Sequence, residues 1–193
     1  MICTRLCHDF GSSLSTLTAV MPQAGEAPAH ALLTETVADL RARHRLFCAM
    51  FGLPDDLDWC QLAELLAGSP IAHRVEFDVR TAPDTPVPTA GTMRLLLSAA
   101  LLAGEALPRG GAVRIAVGKE GGFAILPEGC YARWSPTLLL LVSGGAIEEA
   151  LREGPRQVLA PWVAALAAAE GRRLEFPLGT GLGMPPLLIS AAG

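Results

Sequence analysis

A histidine followed directly by a carboxylate, His8-Asp9, stands near the head of the stretch CTRLCHDFGSSLSTLTAVM, residues 3–21. An imidazole with a pKa of about 6.5 is largely neutral at neutral pH, so one ring nitrogen keeps a lone pair able to attack an electrophile. Asp9, or a backbone carbonyl, can accept a hydrogen bond from the other nitrogen and hold the tautomer. The plainer reading of Asp9 is a carboxylate in the first turns of a helix, favoured by the helix dipole. At roughly 100° per residue, Phe10, Leu14, Leu17 and Met21 share one helix face, Cys3, Leu6 and Cys7 extend it, and His8 projects about 160° away from its centre. Thr4, Arg5, Gly11, Ser12 and Ser15 surround the imidazole with small side chains and one cation. That outer face has room for another protein. Arg5 and Ser12, one turn either side of His8, are the candidates to touch what docks there, and Gly11 and Ser15 complete the surface.

Other residues of chemical type carry less. The cysteines, Cys3, Cys7, Cys48, Cys60 and Cys130, are odd in number and lack a C-x-x-C spacing, the pattern of free thiols in a reducing compartment. Cys3, Cys7 and His8 are not read as metal ligands, because the thiols lie on the apolar stripe and the imidazole faces away from it. His44 falls among Leu40 and Phe47 and is expected to be a packed core histidine. His30 and His73 have no chemical company, and Arg41, Arg43 and Arg45 read as a solvated helix face, with docking of an acidic surface as the alternative.

The elements that position His8 follow from the pattern around it. Its helix is expected to end near Met21, ahead of the Pro/Gly-bearing connector Pro22–Pro28. Leu33, Val37, Leu40, His44, Phe47 and Phe51 then recur at spacings of four and three, the seam of a helix in a bundle. Gly52-Leu53-Pro54 stops that helix. Two helices cannot enclose their own apolar faces, so self-association through a two-fold axis into a four-helix bundle is the simplest remedy.

Beyond Pro54 the pattern changes. Helices are expected at Leu57–Ala67, Thr92–Leu107, Pro136–Val142 and Pro155–Ala169. Strands are expected at Arg74–Val79, Ala112–Val117, Phe123–Pro127, Arg173–Pro177 and Leu187–Ala191, with Thr81–Thr89 a loop and Gly118–Gly122 a hairpin connection. The fold class is therefore α+β: residues 1–53 a dimerising helical hairpin, residues 54–193 a sandwich of one sheet covered on one side by helices.

Composition bounds the function. With 51% hydrophobic residues the chain is globular. A net charge of −4 with scattered arginines excludes nucleic acid as the main partner. No secretory leader is read at the N-terminus, and the apolar runs Leu95–Gly104 and Leu138–Val142 are too short to span a bilayer, so the expected location is cytoplasmic, without a membrane partner.

A dimerising hairpin with an exposed His-Asp, followed by an α+β domain, resembles the layout of sensor histidine kinases. It is more similar still to the ChpT-type histidine phosphotransferases of alphaproteobacteria. Arg5-Leu-Cys-His-Asp9, Leu46–Gly52 (LFCAMFG), Arg94-Leu-Leu-Leu97, Ala103–Gly111, Val158-Leu-Ala-Pro-Trp-Val163 and Ala169-Glu-Gly171 carry the likeness, in the same order along nearly the whole chain.

The resemblance implies a homodimer whose second domain is a degenerate histidine-kinase ATPase-like (Bergerat-type) α/β sandwich that has lost nucleotide binding. The residues agree: the helix Thr92–Leu107 offers Ser98 and no asparagine for magnesium and phosphates, and the Asp-x-Gly-x-Gly adenine loop is missing. Gly179-Thr-Gly-Leu-Gly-Met184 is similar to a kinase glycine box, but Pro185-Pro186 would remove a helix donor there, so a glycine-rich turn between the last two strands is expected, with a vestigial or real phosphate loop as the alternative. Gly11-Ser12-Ser13 replaces the family's long polar side chains after His-Asp, and the helix is short on the N-terminal side of His8. By the resemblance, His8 is the phosphoacceptor, Asp9 its catalytic neighbour, and Arg5, Gly11, Ser12 and Ser15 the partner surface. The partners are receiver domains of response regulators and of a hybrid sensor kinase. No intrinsic cofactor or metal is expected, the Mg²⁺ coming with the receiver. The competing readings are an ATP-dependent histidine autokinase and a dimeric protein that docks receivers without accepting phosphate.

Overall fold

The computed structural model describes residues 2–52, 56–82, 84–118, 121–177 and 183–192. Helix α1 spans Ile2–Val20, a 3-10 turn at Met21–Gln23 reverses the chain, and α2 runs antiparallel to it over Ala27–Phe51. Pro28 lies in the first turn of α2, where its missing N–H costs nothing, so the connector is shorter than its prolines suggest. At the other end Gly52 caps α2, its N–H donating to Cys48 O at 2.8 Å; Leu53 and Pro54 of the expected stop signal lie outside the described residues.

The seam between the two helices is narrower and more polar than the apolar pattern indicates. On α2, Ala29, Thr36, Leu46, Phe47 and Met50 are buried, and Thr36 satisfies its hydroxyl on Leu32 O at 2.7 Å. On α1 only Ser13 is buried, while Leu6, Phe10 and Leu17 are half-buried. Phe10 meets Phe47 edge to face, ring centroids 5.4 Å apart. Cys3 and Cys7, expected on the inner stripe, are exposed, as are Leu14 and Met21. His44, expected in the core, is also exposed, its ring nitrogens 3.6 and 3.9 Å from Cys48 Sγ. The physical reason is crossing geometry. The expected seam straddles two faces of α2: Leu33, Leu40 and Phe47 are buried or half-buried, while Val37 and His44 on the adjacent face are exposed.

Phe51 carries the hairpin onto the rest of the chain by packing on Trp162, centroids 5.3 Å apart. Helix α3, Trp59–Ala67, opens with a capping box in which Asp58 and Gln61 satisfy each other's backbone N–H. Strand β1, Val75–Arg80, is followed by α4, Ala90–Glu105, and then by β2, Gly111–Val117, which returns parallel to β1 with Val75 opposite Gly111. Strand β3, Phe123–Glu128, pairs antiparallel with β2, and β5, Leu187–Ala191, lies between β3 and β4, Arg172–Glu175, in the order β1-β2-β3-β5-β4. Gly118 N–H donates to Gly122 O at 2.7 Å to close the β2–β3 turn, of which Lys119 and Glu120 are outside the described residues. So are residues 179–182 of the glycine-rich stretch, though β4 and β5 are antiparallel neighbours.

Alternation assigns the two faces of the sheet. Val113, Ile115 and Ile125 are fully buried on the face that meets α4, with Leu187 and Ile189 buried in line with them, while Arg114 and Glu128 pair at 2.9 Å on the face left to solvent. Helix α4 is buried nearly all round because the sheet covers one side and α2, α3 and α7, Leu159–Ala169, cover the other. Helix α5 spans Pro136–Val142, and α6, Ile147–Ala150, is a short element with too few residues to show a period. Helix α7 starts later than the sequence suggests, because Pro155–Gln157 forms a separate 3-10 turn.

Candidate functional site

The side chain of His8 is 78% exposed on α1, and its Nδ1 lies 3.2 Å from Asp9 Oδ1. A carboxylate only accepts, so in this contact Nδ1–H donates, and in the neutral ring Nε2, across from it, keeps the lone pair. Adjacent helix residues do not normally face each other. The contact forms because Asp9 turns back toward the N-terminus, where Arg5 Nε sits 3.5 Å from its other oxygen, Oδ2.

Arg5 does not project freely beside His8 as an outer-face residue would. Its side chain is 19% exposed, turned to the second domain, where Nη2 donates to Glu105 Oε1 at the end of α4. Asp9 is 21% exposed and Glu105 31%. Crowding by protein strips water from the Glu105 carboxylate and pushes its pKa above the ordinary 4.5; Arg5 pulls it back, and the charge of Asp9 adds to the rise. A groove of about 370 Å³ opens beside these residues, lined by Thr4, Arg5, His8, Asp9, Glu105 and Pro155.

The backbone beneath the site is pinned from α2. Arg43, grouped by sequence with the solvated Arg41 and Arg45, turns inward instead and donates through Nη1 to Asp9 O at 3.2 Å and Ser13 Oγ at 3.1 Å. Ser12 and Ser15 are exposed on the His8 side of α1, three and four residues apart in the manner of one helix face. Ser15 Oγ donates to Gly11 O at 2.9 Å, and no atom lies within 4 Å of where a Cβ on Gly11 would stand. His8, Ser12 and Ser15 thus share the exposed side of α1, whereas Arg5 and Asp9 are turned toward Glu105 of the second domain. Glu105 and Arg43 escaped sequence reasoning: an acid closing an apolar helix and one arginine of three give no hint of a target 100 and 34 residues away.

Among the described residues no group of three or more His, Cys, Asp or Glu side chains is arranged to hold a metal ion. On α4, Ser98 is fully buried with its hydroxyl unpartnered, and the chain contains no asparagine. No helix of the described residues is long and apolar enough to cross a membrane.

The chain is similar to known proteins at two levels. A family model described as the histidine phosphotransferase C-terminal domain matches residues 62–180, from within α3 to beyond β4. Among solved structures, a bacterial phosphotransferase is 24% identical over 98% of this chain and 92% of its own, with a TM-score of 0.74, which places the two in one fold. Full-length ShkA in complex with AMPPNP is 20% identical over 98% of this chain and 45% of its own, at a TM-score of 0.41. No curated protein matches the sequence.

Proposed function

The chain belongs to the histidine phosphotransferase family by its C-terminal domain, and from that premise we propose that it relays phosphoryl groups between receiver-domain aspartates through His8. The observation that carries this reading is the 78% exposed imidazole whose Nδ1 faces Asp9 Oδ1 at 3.2 Å. It presents a nucleophile of fixed tautomer to any partner reaching the outer face of α1. The Nε2 lone pair attacks the phosphorus of an aspartyl phosphate, and the P–O bond to the receiver carboxylate breaks with its electron pair returning to that carboxylate. The ring then carries a positive charge, which the Asp9 carboxylate offsets through Nδ1–H. Transfer to a second receiver is the same step reversed. The Mg²⁺ that neutralises the phosphoryl oxygens comes with the receiver, and no cofactor of this chain takes part.

Arg5, Gly11, Ser12 and Ser15 form the surface on which receivers, including that of a hybrid sensor kinase, dock. Residues 1–53 act as the phosphotransfer and dimerisation unit and residues 54–193 as the degenerate ATPase-like domain. The dimer reading rests on the uncovered apolar flank of the hairpin, where Leu14 is 53%, Met21 59%, Leu32 42% and Val37 38% exposed. A shallow groove lined by Phe10, Val37, Leu40 and His44 runs along it. A second hairpin laid on that flank completes a four-helix bundle.

The test is incubation with receivers charged by labelled acetyl phosphate. Acid-labile label is expected on His8 and absent from His8→Ala, which should remain a dimer. Persistent labelling of His8→Ala overturns the assignment. Labelling from Mg-ATP without any receiver would replace it with an autokinase.

A further inference from the structure

Four charged or titratable groups from two parts of the molecule run in series to the exposed imidazole. Glu105 Oε1 accepts from Arg5 Nη2, Arg5 Nε stands 3.5 Å from Asp9 Oδ2, and Asp9 Oδ1 stands 3.2 Å from His8 Nδ1. The guanidinium is therefore divided between two carboxylates by different nitrogens. Undivided, its planar fork matches both oxygens of one carboxylate. A fork closed on Asp9 would occupy Oδ1, the oxygen that His8 uses, and neutralise the charge that stabilises the phosphorylated ring. Glu105 is the group that stands against this closure. It belongs to the last turn of α4, a helix buried against the sheet, so its position is set by the second domain and not by the hairpin.

We propose that Glu105 is a positioning residue for phosphoryl transfer: by holding Arg5 through Nη2 it keeps the guanidinium off Asp9 Oδ1, and so maintains the Nδ1–H tautomer of His8 with Nε2 as the nucleophile. The proposal rests on His8 being the phosphoacceptor. It gives the degenerate second domain a share in the chemistry without any nucleotide.

Nitrogen-15 NMR of the histidine rings in the full chain, unphosphorylated and without receiver, tests this directly. Free imidazole prefers the proton on Nε2, so a wild-type His8 with the proton mainly on Nδ1 is already a signature of Asp9. In Glu105→Gln the population is expected to move toward the Nε2–H form, and further in Glu105→Ala, with thermal melts confirming that each variant is folded. Phosphoryl transfer from a charged receiver should slow by about tenfold in kcat with KM for the receiver unchanged, the size typical of losing an outer partner of a functional imidazole. Identical His8 tautomers in wild type and both variants overturn the proposal. Because the tautomer is read without phosphate, its outcome is separate from that of the His8→Ala labelling experiment, which alone decides the phosphoacceptor.

Discussion

Among single residues, Glu105 links stability to pH most directly. In the unfolded chain it titrates at the ordinary 4.5, and in the folded protein, where crowding disfavours the charged form, it titrates higher. Between those two values the folded state binds more protons than the unfolded one, so this group's contribution to stability is present at low pH and is lost as pH rises through the window. Glu105→Gln removes that titration. Melting curves collected from about pH 4.5 upward should therefore show wild type losing stability relative to the variant as pH increases, then running parallel to it once Glu105 is ionised. A difference that stays flat across the window, or rises in favour of wild type, would contradict the direction of the shift. At 31% side-chain exposure the effect is one of slope and not a large free energy.

Among the elements, α2 does two jobs on two faces. One face joins α1 and the second domain through Leu46, Phe47 and Met50, which are 0%, 8% and 1% exposed. The other carries Val37 and His44 to solvent. Leu46 touches the pocket shared by the hairpin, α4 and α7, so truncating it removes packing where the two parts of the chain are held together. Leu46→Ala should cost about 2–5 kcal/mol, the range for a fully buried leucine whose cavity collapses only partly. Urea unfolding reads this as a lowered midpoint at unchanged slope. It should also loosen the register between Arg5 and Glu105, because α1 is held to α4 chiefly by way of α2. Arg43 explains why the first helix keeps its place despite burying little: two hydrogen bonds to Asp9 O and Ser13 Oγ replace the apolar contacts that Cys3 and Cys7 do not make.

For the whole molecule, the open flank of the hairpin is the feature that a single chain leaves unresolved. Val37 and Leu14, 38% and 53% exposed, lie on elements whose other sides are already covered. A second copy laid on it would remove this apolar surface from water, and a charge placed there would then have to be buried unpaired. Val37→Glu is expected to convert a dimer into a monomer by size-exclusion chromatography with light scattering, while far-ultraviolet circular dichroism stays as in wild type. A wild-type chain that runs as a monomer at micromolar concentration would remove the four-helix bundle. The groove beside His8 is lined by Glu105 and Pro155 as well as by α1, and Arg5 ties the two parts together through Glu105.

Much of this was fixed locally and is legible in the chain. His8-Asp9 on the outer face of a helix, the glycine that caps α2, the β2–β3 hairpin and the buried α4 all follow from spacing, caps and alternation, which depend on residues within one or two turns of each other. That helix α4 carries no asparagine is legible too. Tertiary structure alone decided which side of α2 meets α1, because a repeat of four and three spacings allows two adjacent faces and only the crossing chooses between them. It alone exposed His44, turned Arg43 inward and set Glu105 against Arg5 across 100 residues. Ion pairs between distant residues have no sequence period, so the His8-Asp9 pair is legible in the chain while the Arg5–Glu105 pair is decided by the fold alone.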